Sequence, residues 1–234
     1  MEEAVNSSFD NNRIIIALDY NNKKQALALL KKLDPSHCRL KIGKQLFTKY
    51  GPGIVEELQK MNFEIFLDLK FHDIPVTVYK SCLEAYKLGI WMLNIHLLGG
   101  EEMVLAAREA RDEVNKKSKI IGVTLLTSHN VDSMAHLGMN TRQEIVKSLS
   151  IIASDAKIDG VVCSPGDISY INTSKNNLEF ITPGIRLSDD SNDHSKIYTP
   201  NTALELGSSY LVIGRPITES KDPMSVVEKI KLMI

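Results

Sequence analysis

The sequence predicts an α/β protein built as a (β/α)8 TIM barrel, and three observations carry that expectation. The apolar pattern keeps switching between short continuous runs and longer stretches of about 3.6-residue period, as strands buried on both faces alternate with amphipathic helices. Eight such pairs fit into 234 residues, slightly fewer than the ~250 usual for the fold. Polar residues gather at the tails of the strands, where a barrel places its active site.

In chain order, Ile-Ile-Ile-Ala-Leu-Asp at 14–19 reads as the first strand, and 23–33 as the helix after it. Strand 38–42 leads to helix 54–61, strand 64–69 to helix 76–88, and strand 91–96 to helix 101–115. Strand 120–126 is followed by a polar stretch and helix 142–156. The last three pairs are 160–164 with 165–171, 179–182 with 200–206, and 210–213 with 223–233. Residues 128–141 and 185–199 read as long loops after strands, the second polar and expected to be mobile, and loops of that length are commonly functional. A doubly wound open sheet is the competing architecture. It would favour Gly-x-Gly-x-x-Gly after the first strand, where this chain has Tyr20-Asn21-Asn22-Lys23. No linker or composition shift divides residues 1–234, so a single domain is expected.

Composition narrows the function classes. Hydrophobic residues make up 43% and charged residues 24%, with a net charge of -1, so no global field draws the chain to nucleic acid or to an anionic membrane. Residues 1–12 lack the basic start and apolar run of a signal peptide, and the apolar runs are of strand length, too short to span a bilayer. Cys38, Cys82 and Cys163 form no Cys-x-x-Cys pair and read as reduced thiols. A cytoplasmic protein is expected.

Charge within a buried strand needs a reason. Asp19 ends the first strand, Lys41 lies in the second, Asp68 and Lys70 in or just after the third, and His96 ends the fourth. Thr127 and Ser128 follow the fifth strand, Ser164 ends the sixth, Arg186 follows the seventh, and Gly214-Arg215 follow the eighth. In a barrel these ends converge on one mouth. Strand alternation puts Asp68 and Lys70 on one face, and with Lys41 and Asp73 they form a set of alternating sign. One such pair at ~4 Å and an effective dielectric of ~20 interacts by about 4 kcal/mol before desolvation. Two carboxylates beside Lys70 would keep it an ammonium, a proton donor. The set could instead be an ion-pair network that merely closes the barrel, although buried pairs are weak stabilisers. It could also be a metal site on Asp68 and Asp73, which Lys41 and Lys70 oppose by charge.

The turns Thr182-Pro183-Gly184-Ile185-Arg186 and Ile213-Gly214-Arg215-Pro216 follow the seventh and eighth strands, where many barrels grip a phosphate. Glycine lets backbone N–H groups approach, and arginine supplies a charge-matched fork. A surface turn with solvated arginines is the plainer reading. The six histidines show no metal-ligand spacing, and Ser164 has no nucleophile elbow around it.

Taken together, these segments resemble the bacterial orotidine 5'-monophosphate decarboxylase family. The resemblance runs from Ala17-Leu18-Asp19 to Ile217. It includes Leu40-Lys41-Ile42-Gly43, Asp68-Leu69-Lys70-Phe71-His72-Asp73-Ile74-Pro75, Leu126-Thr127-Ser128, Pro183-Gly184-Ile185-Arg186 and Ile213-Gly214-Arg215-Pro216. It implies decarboxylation of orotidine 5'-monophosphate to UMP with no cofactor and no metal, in a homodimer with shared active sites. Asp19 and Lys41 would take the ribose, Asp68 would face the substrate carboxylate, and Lys70 would protonate C6. Asp73 and Thr77 would reach the neighbouring subunit's site. Thr127 and Ser128 would lie near the pyrimidine, Arg186 would touch from the loop, and Gly214 and Arg215 would hold the phosphate. His194 stands about where much of the family has a phosphate-clamping glutamine. The rivals are magnesium-dependent relatives, 3-keto-gulonate-phosphate decarboxylase or hexulose-phosphate synthase, which resemble this chain around Asp-x-Lys-x-x-Asp but carry an acid where it has Lys41. A non-catalytic nucleotide-binding barrel is the rival from another class.

Overall fold

A computed structural model describes residues 12–126, 141–171, 177–187 and 198–234. Eight parallel strands run in chain order: β1 (Ile14–Ala17), β2 (Arg39–Gly43), β3 (Ile65–Phe71), β4 (Met92–His96), β5 (Lys119–Val123), β6 (Gly160–Val162), β7 (Glu179–Pro183) and β8 (Tyr210–Ile213). Each pairs with its sequence neighbour, and β8 closes on β1 through Ile14–Leu211, Ile15–Val212 and Ile16–Ile213. The result is a closed (β/α)8 barrel, as the alternating apolar pattern predicts.

The helices are α1 (Lys23–Leu30), α2 (Lys44–Tyr50), α3 (Gly53–Gln59), α4 (Pro75–Lys87), α5 (Gly100–Val114), α6 (Arg142–Asp155), α7 (Pro200–Glu205), α8 (Arg215–Thr218) and α9 (Pro223–Met233). Local chemistry starts several of them. Asn22, Thr141, Thr199 and Asp222 accept a backbone N–H from the first turn of α1, α6, α7 and α9, and proline at the start of α4, α7 and α9 costs no hydrogen bond there.

Two helices were not expected from the sequence. Only Leu46 of α2 is buried, so α2 has no apolar stripe to read, and Gly51 and Pro52 separate it from α3. The single turn α8 follows Gly214 directly. Residues 165–170, expected as an α-helix, form a 3-10 turn (Pro165–Tyr170), and another 3-10 turn (Leu97–Gly99) precedes α5. β5 ends at Val123, three residues before the expected 126.

Strand periodicity sorts the core into two parts. One packs the outer strand faces against the helices, with Ile14, Ile16, Leu40, Leu67, Leu93 and Ile213 buried there. The other fills the barrel with Ile15, Ala17, Phe66, Met92, Ile121, Ile181, Tyr210 and Val212. Arg39 belongs to the amino-terminal end of this inner column. Its guanidinium lies 4.1 Å from the Trp91 ring, and Trp91 meets Tyr210 edge-on at 5.2 Å. The Arg39–Glu64 pair at 2.6 Å and the Lys119–Glu179 pair at 2.7 Å surround this floor. The barrel is therefore plugged below, and its chemistry is left to the other end. The three cysteines are buried and free, and burial pushes Cys38 and Cys82 up to about 12 and Cys163 higher still.

Candidate active site

Above the apolar inner layer, the same inward positions turn polar. Lys41 on β2, Asp68 on β3 and Asn94 on β4 are all buried, and with Lys70 they line a cavity of about 240 Å³. Phe66, Ile181 and Val212 form much of its apolar base.

Lys41 Nζ stands 3.2 Å from Asp68 Oδ2 and 3.3 Å from Asp19 Oδ1, while Lys70 Nζ pairs with Asp68 Oδ1. Asp19 is exposed at the end of β1 and the other three are more enclosed, so the array runs from solvent into the cavity. Asn94 Nδ2 donates to Asp68 Oδ1 at 2.7 Å. Burial pushes the Asp68 carboxyl up. The Lys41 and Lys70 charges, with hydrogen bonds from Lys70 and Asn94, outweigh that penalty and hold it below the usual carboxylate range.

Simple strand alternation is not what delivers Lys70. Pairing of β3 with β4 is regular up to Leu67–Leu93 and resumes at Phe71–Ile95. Between those rungs β3 has Asp68, Leu69 and Lys70 where β4 has Asn94 alone, a bulge of two extra residues. Lys70 takes a left-handed backbone, φ 51°. Its N–H leaves the ladder and donates to Asn94 Oδ1 at 2.8 Å. Strained backbone of this kind concentrates at functional sites.

Asp73 and Thr77 lie elsewhere. Both are exposed, and Asp73 Oδ1 accepts the Ile74 N–H at 2.7 Å. Among the described residues Asp73 makes no ion pair, so one chain alone brings together Asp19, Lys41, Asp68 and Lys70 but not the fourth member of the alternating set. Ile74 and Val76 beside it are 61% and 53% exposed.

Arg186 follows β7, with its N–H on the Tyr198 carbonyl at 3.0 Å and its Nη1 on the Ile185 carbonyl at 3.2 Å. Gly184 before it has φ 84°, which suits glycine. Gly214 is half-buried at the end of β8, and Arg215 is exposed and forms no ion pair among the described residues. The 3-10 turn after β6 carries Asp167, which receives Arg142 in two bonds of 2.8 and 2.7 Å. His72 and His96 stand with ring centroids 5.6 Å apart. Thr127, Ser128 and His194, with residues 127–140 and 188–197 of the two long loops, lie outside the described residues. Among the described residues no three His, Cys, Asp or Glu side chains are grouped so as to hold a metal ion. No helix among them is long and apolar enough to cross a membrane.

The sequence reading missed Asn94. A neutral amide in Met-Leu-Asn-Ile-His resembles ordinary satisfied core. The available signal was its register: it shares the inward parity of Met92, one rung from Asp68.

A closed parallel barrel whose carboxyl-terminal mouth holds a lysine–aspartate–lysine array defines a (β/α)8-barrel enzyme. The chain belongs to the orotidine 5'-phosphate decarboxylase / HUMPS family, whose profile matches residues 12–230. The protein of Saccharophagus degradans named orotidine 5'-phosphate decarboxylase is 48% identical over 221 residues, 93% of each chain. The protein of that name from Nitrosomonas eutropha is 47% identical over 224 residues, 94% of this chain and 96% of that one. The solved orotidine 5'-phosphate decarboxylase of Lactobacillus acidophilus is similar with a TM-score of 0.83 at 35% identity, covering 95% of this chain and 98% of the other.

Proposed function

We propose that this enzyme decarboxylates orotidine 5'-monophosphate to UMP and carbon dioxide, closing UMP synthesis in the cytoplasm without metal or organic cofactor. The observation that carries the proposal is the contiguous Lys41–Asp68–Lys70 array in the cavity, in a chain so similar to proteins bearing that name.

The chemistry asks for electrostatics. Cleaving the C6–carboxylate bond leaves an electron pair on C6, and the Lys70 ammonium stabilises that charge and delivers its proton there. Asp68 beside the leaving carboxylate disfavours the bound state and holds Lys70 in place. Asp19 and Lys41 take the ribose hydroxyls. Arg186, Gly214 and Arg215 take the phosphate, and Thr127, Ser128 and His194 complete the pocket. Binding energy at the phosphate, far from C6, aligns the array. Asp73 and Thr77 serve the neighbouring subunit's site in a homodimer, a role that suits their exposure and the apolar Ile74 and Val76 around them. A magnesium-dependent sugar-phosphate reaction fits less well, because Lys41 beside Asp68 repels a cation.

Loss of orotidine monophosphate absorbance in the ultraviolet tests the proposal. The wild type should consume it, and EDTA should leave the rate unchanged. Lys70→Ala should bind UMP within about tenfold of wild type while losing about 10⁴-fold or more in kcat. Near-normal turnover by that variant overturns the mechanism.

A further inference from the structure

We propose that Asn94 is the positioning residue of this site, its amide tying β4 to the bulge of β3 so that Asp68 and Lys70 are held at their working spacing. The inference rests on the decarboxylase reading and extends it to a residue that does no chemistry itself.

Asn94 is 1% exposed, and both ends of its amide are used. Nδ2 donates to Asp68 Oδ1 at 2.7 Å, and Oδ1 accepts the Lys70 N–H at 2.8 Å. An ionised carboxylate only accepts and a peptide N–H only donates, so the partners dictate which way the amide faces. It spans the three-against-one mismatch between the strands and supplies the acceptor that the bulge took from Lys70. The left-handed turn at Lys70 is thereby held from outside the strand. Asp68 Oδ1 also receives Lys70 Nζ, so a single oxygen is fixed by the amide and by the ammonium it must orient. Leucine matches the amide in shape but offers neither group. Aspartate matches it and offers the acceptor, but it offers the donor only when protonated.

The charged groups facing Asp68 are Lys41 from β2, with Asp19 behind it at the end of β1, and Lys70 from its own strand; β4 presents the neutral Asn94. Removing a hydrogen bond to the carboxylate therefore has a defined sign. Asp68 protonates more easily, and the acid limb of kcat moves to higher pH.

The test compares wild type, Asn94→Leu and Asn94→Asp by kcat against pH, with UMP affinity measured by calorimetry. Asn94→Leu should lose about 100-fold or more in kcat, keep UMP affinity within about threefold, and show an acid limb roughly one pH unit higher. Asn94→Asp should rebuild the bridge only with a proton on its outer oxygen, so its kcat should fall as pH rises through a range where wild type is level. Active wild type together with an Asn94→Leu enzyme of near-normal kcat and unmoved acid limb overturns the role. If Asn94→Leu does not fold, a pH-level kcat in Asn94→Asp overturns it equally. Wild type that leaves orotidine monophosphate intact sinks the decarboxylase reading instead, and this role with it.

Discussion

Asp68 accepts hydrogen bonds from Lys70 and Asn94 and pairs with Lys41, all from inside the barrel. Its depressed carboxyl makes folding depend on pH in a definite direction. The ionised form is the stabilised one, so the contribution is complete above the ordinary carboxylate range near ~3.9 and is lost as pH falls through the lower folded value. Asp68→Asn takes the shared carboxylate from Lys70 and leaves Lys41 with Asp19 alone, and should cost about 3 kcal/mol by urea denaturation. That deficit should stay constant from about pH 7 to about pH 5 and shrink only below about pH 4. A deficit that grows on acidification would mean the ion pairs are not its source. At this scale the sequence points to a site where charge interrupts an apolar strand, and the structure brings Lys41, Asp68 and Lys70 together in one cavity. Asn94 carried no charge to betray it.

The bulge of β3 is the element on which the site turns. Regular strands are readable because both faces are apolar, and all eight begin within one residue of where the pattern puts them; β4 and β8 also end where it does. A bulge leaves no such trace, since Leu69 and Phe71 continue the alternation that a straight strand would show. The cost of the left-handed turn can be measured. Lys70→Ala and Lys70→Gly remove the same charge, but only glycine relaxes the backbone, so the glycine variant should be more stable than the alanine one by about 1 kcal/mol. Equal stabilities in thermal or urea unfolding would show that Lys70 carries no strain. The helix α2 escaped the sequence reading for a different reason: with Leu46 alone buried, it lacks the apolar stripe that marks the longer helices.

At the scale of the whole molecule, one chain supplies three members of the alternating array, with Asp73 turned outward beside exposed Ile74 and Val76. A homodimer with shared sites makes a quantitative statement. Lys70→Ala and Asp73→Asn chains, each nearly inactive alone, should on mixing and re-equilibration recover about a quarter of wild-type activity, because half the dimers then hold one intact site. A mixture no better than its parents would mean that each site is completed within its own chain.

The seam between β1 and β8 has a consequence for how the protein comes into being. Every residue of the inner charge array is synthesised within the first third of the chain, yet the wall that encloses it is unfinished until residue 213 is available. Until then a nascent chain carries its lysines and aspartates on an open sheet with two unsatisfied edges, exposed to wrong partners. Closure comes from the strand pairing of greatest separation in the sequence, the slowest kind to find, so catalytic competence should appear late and all at once.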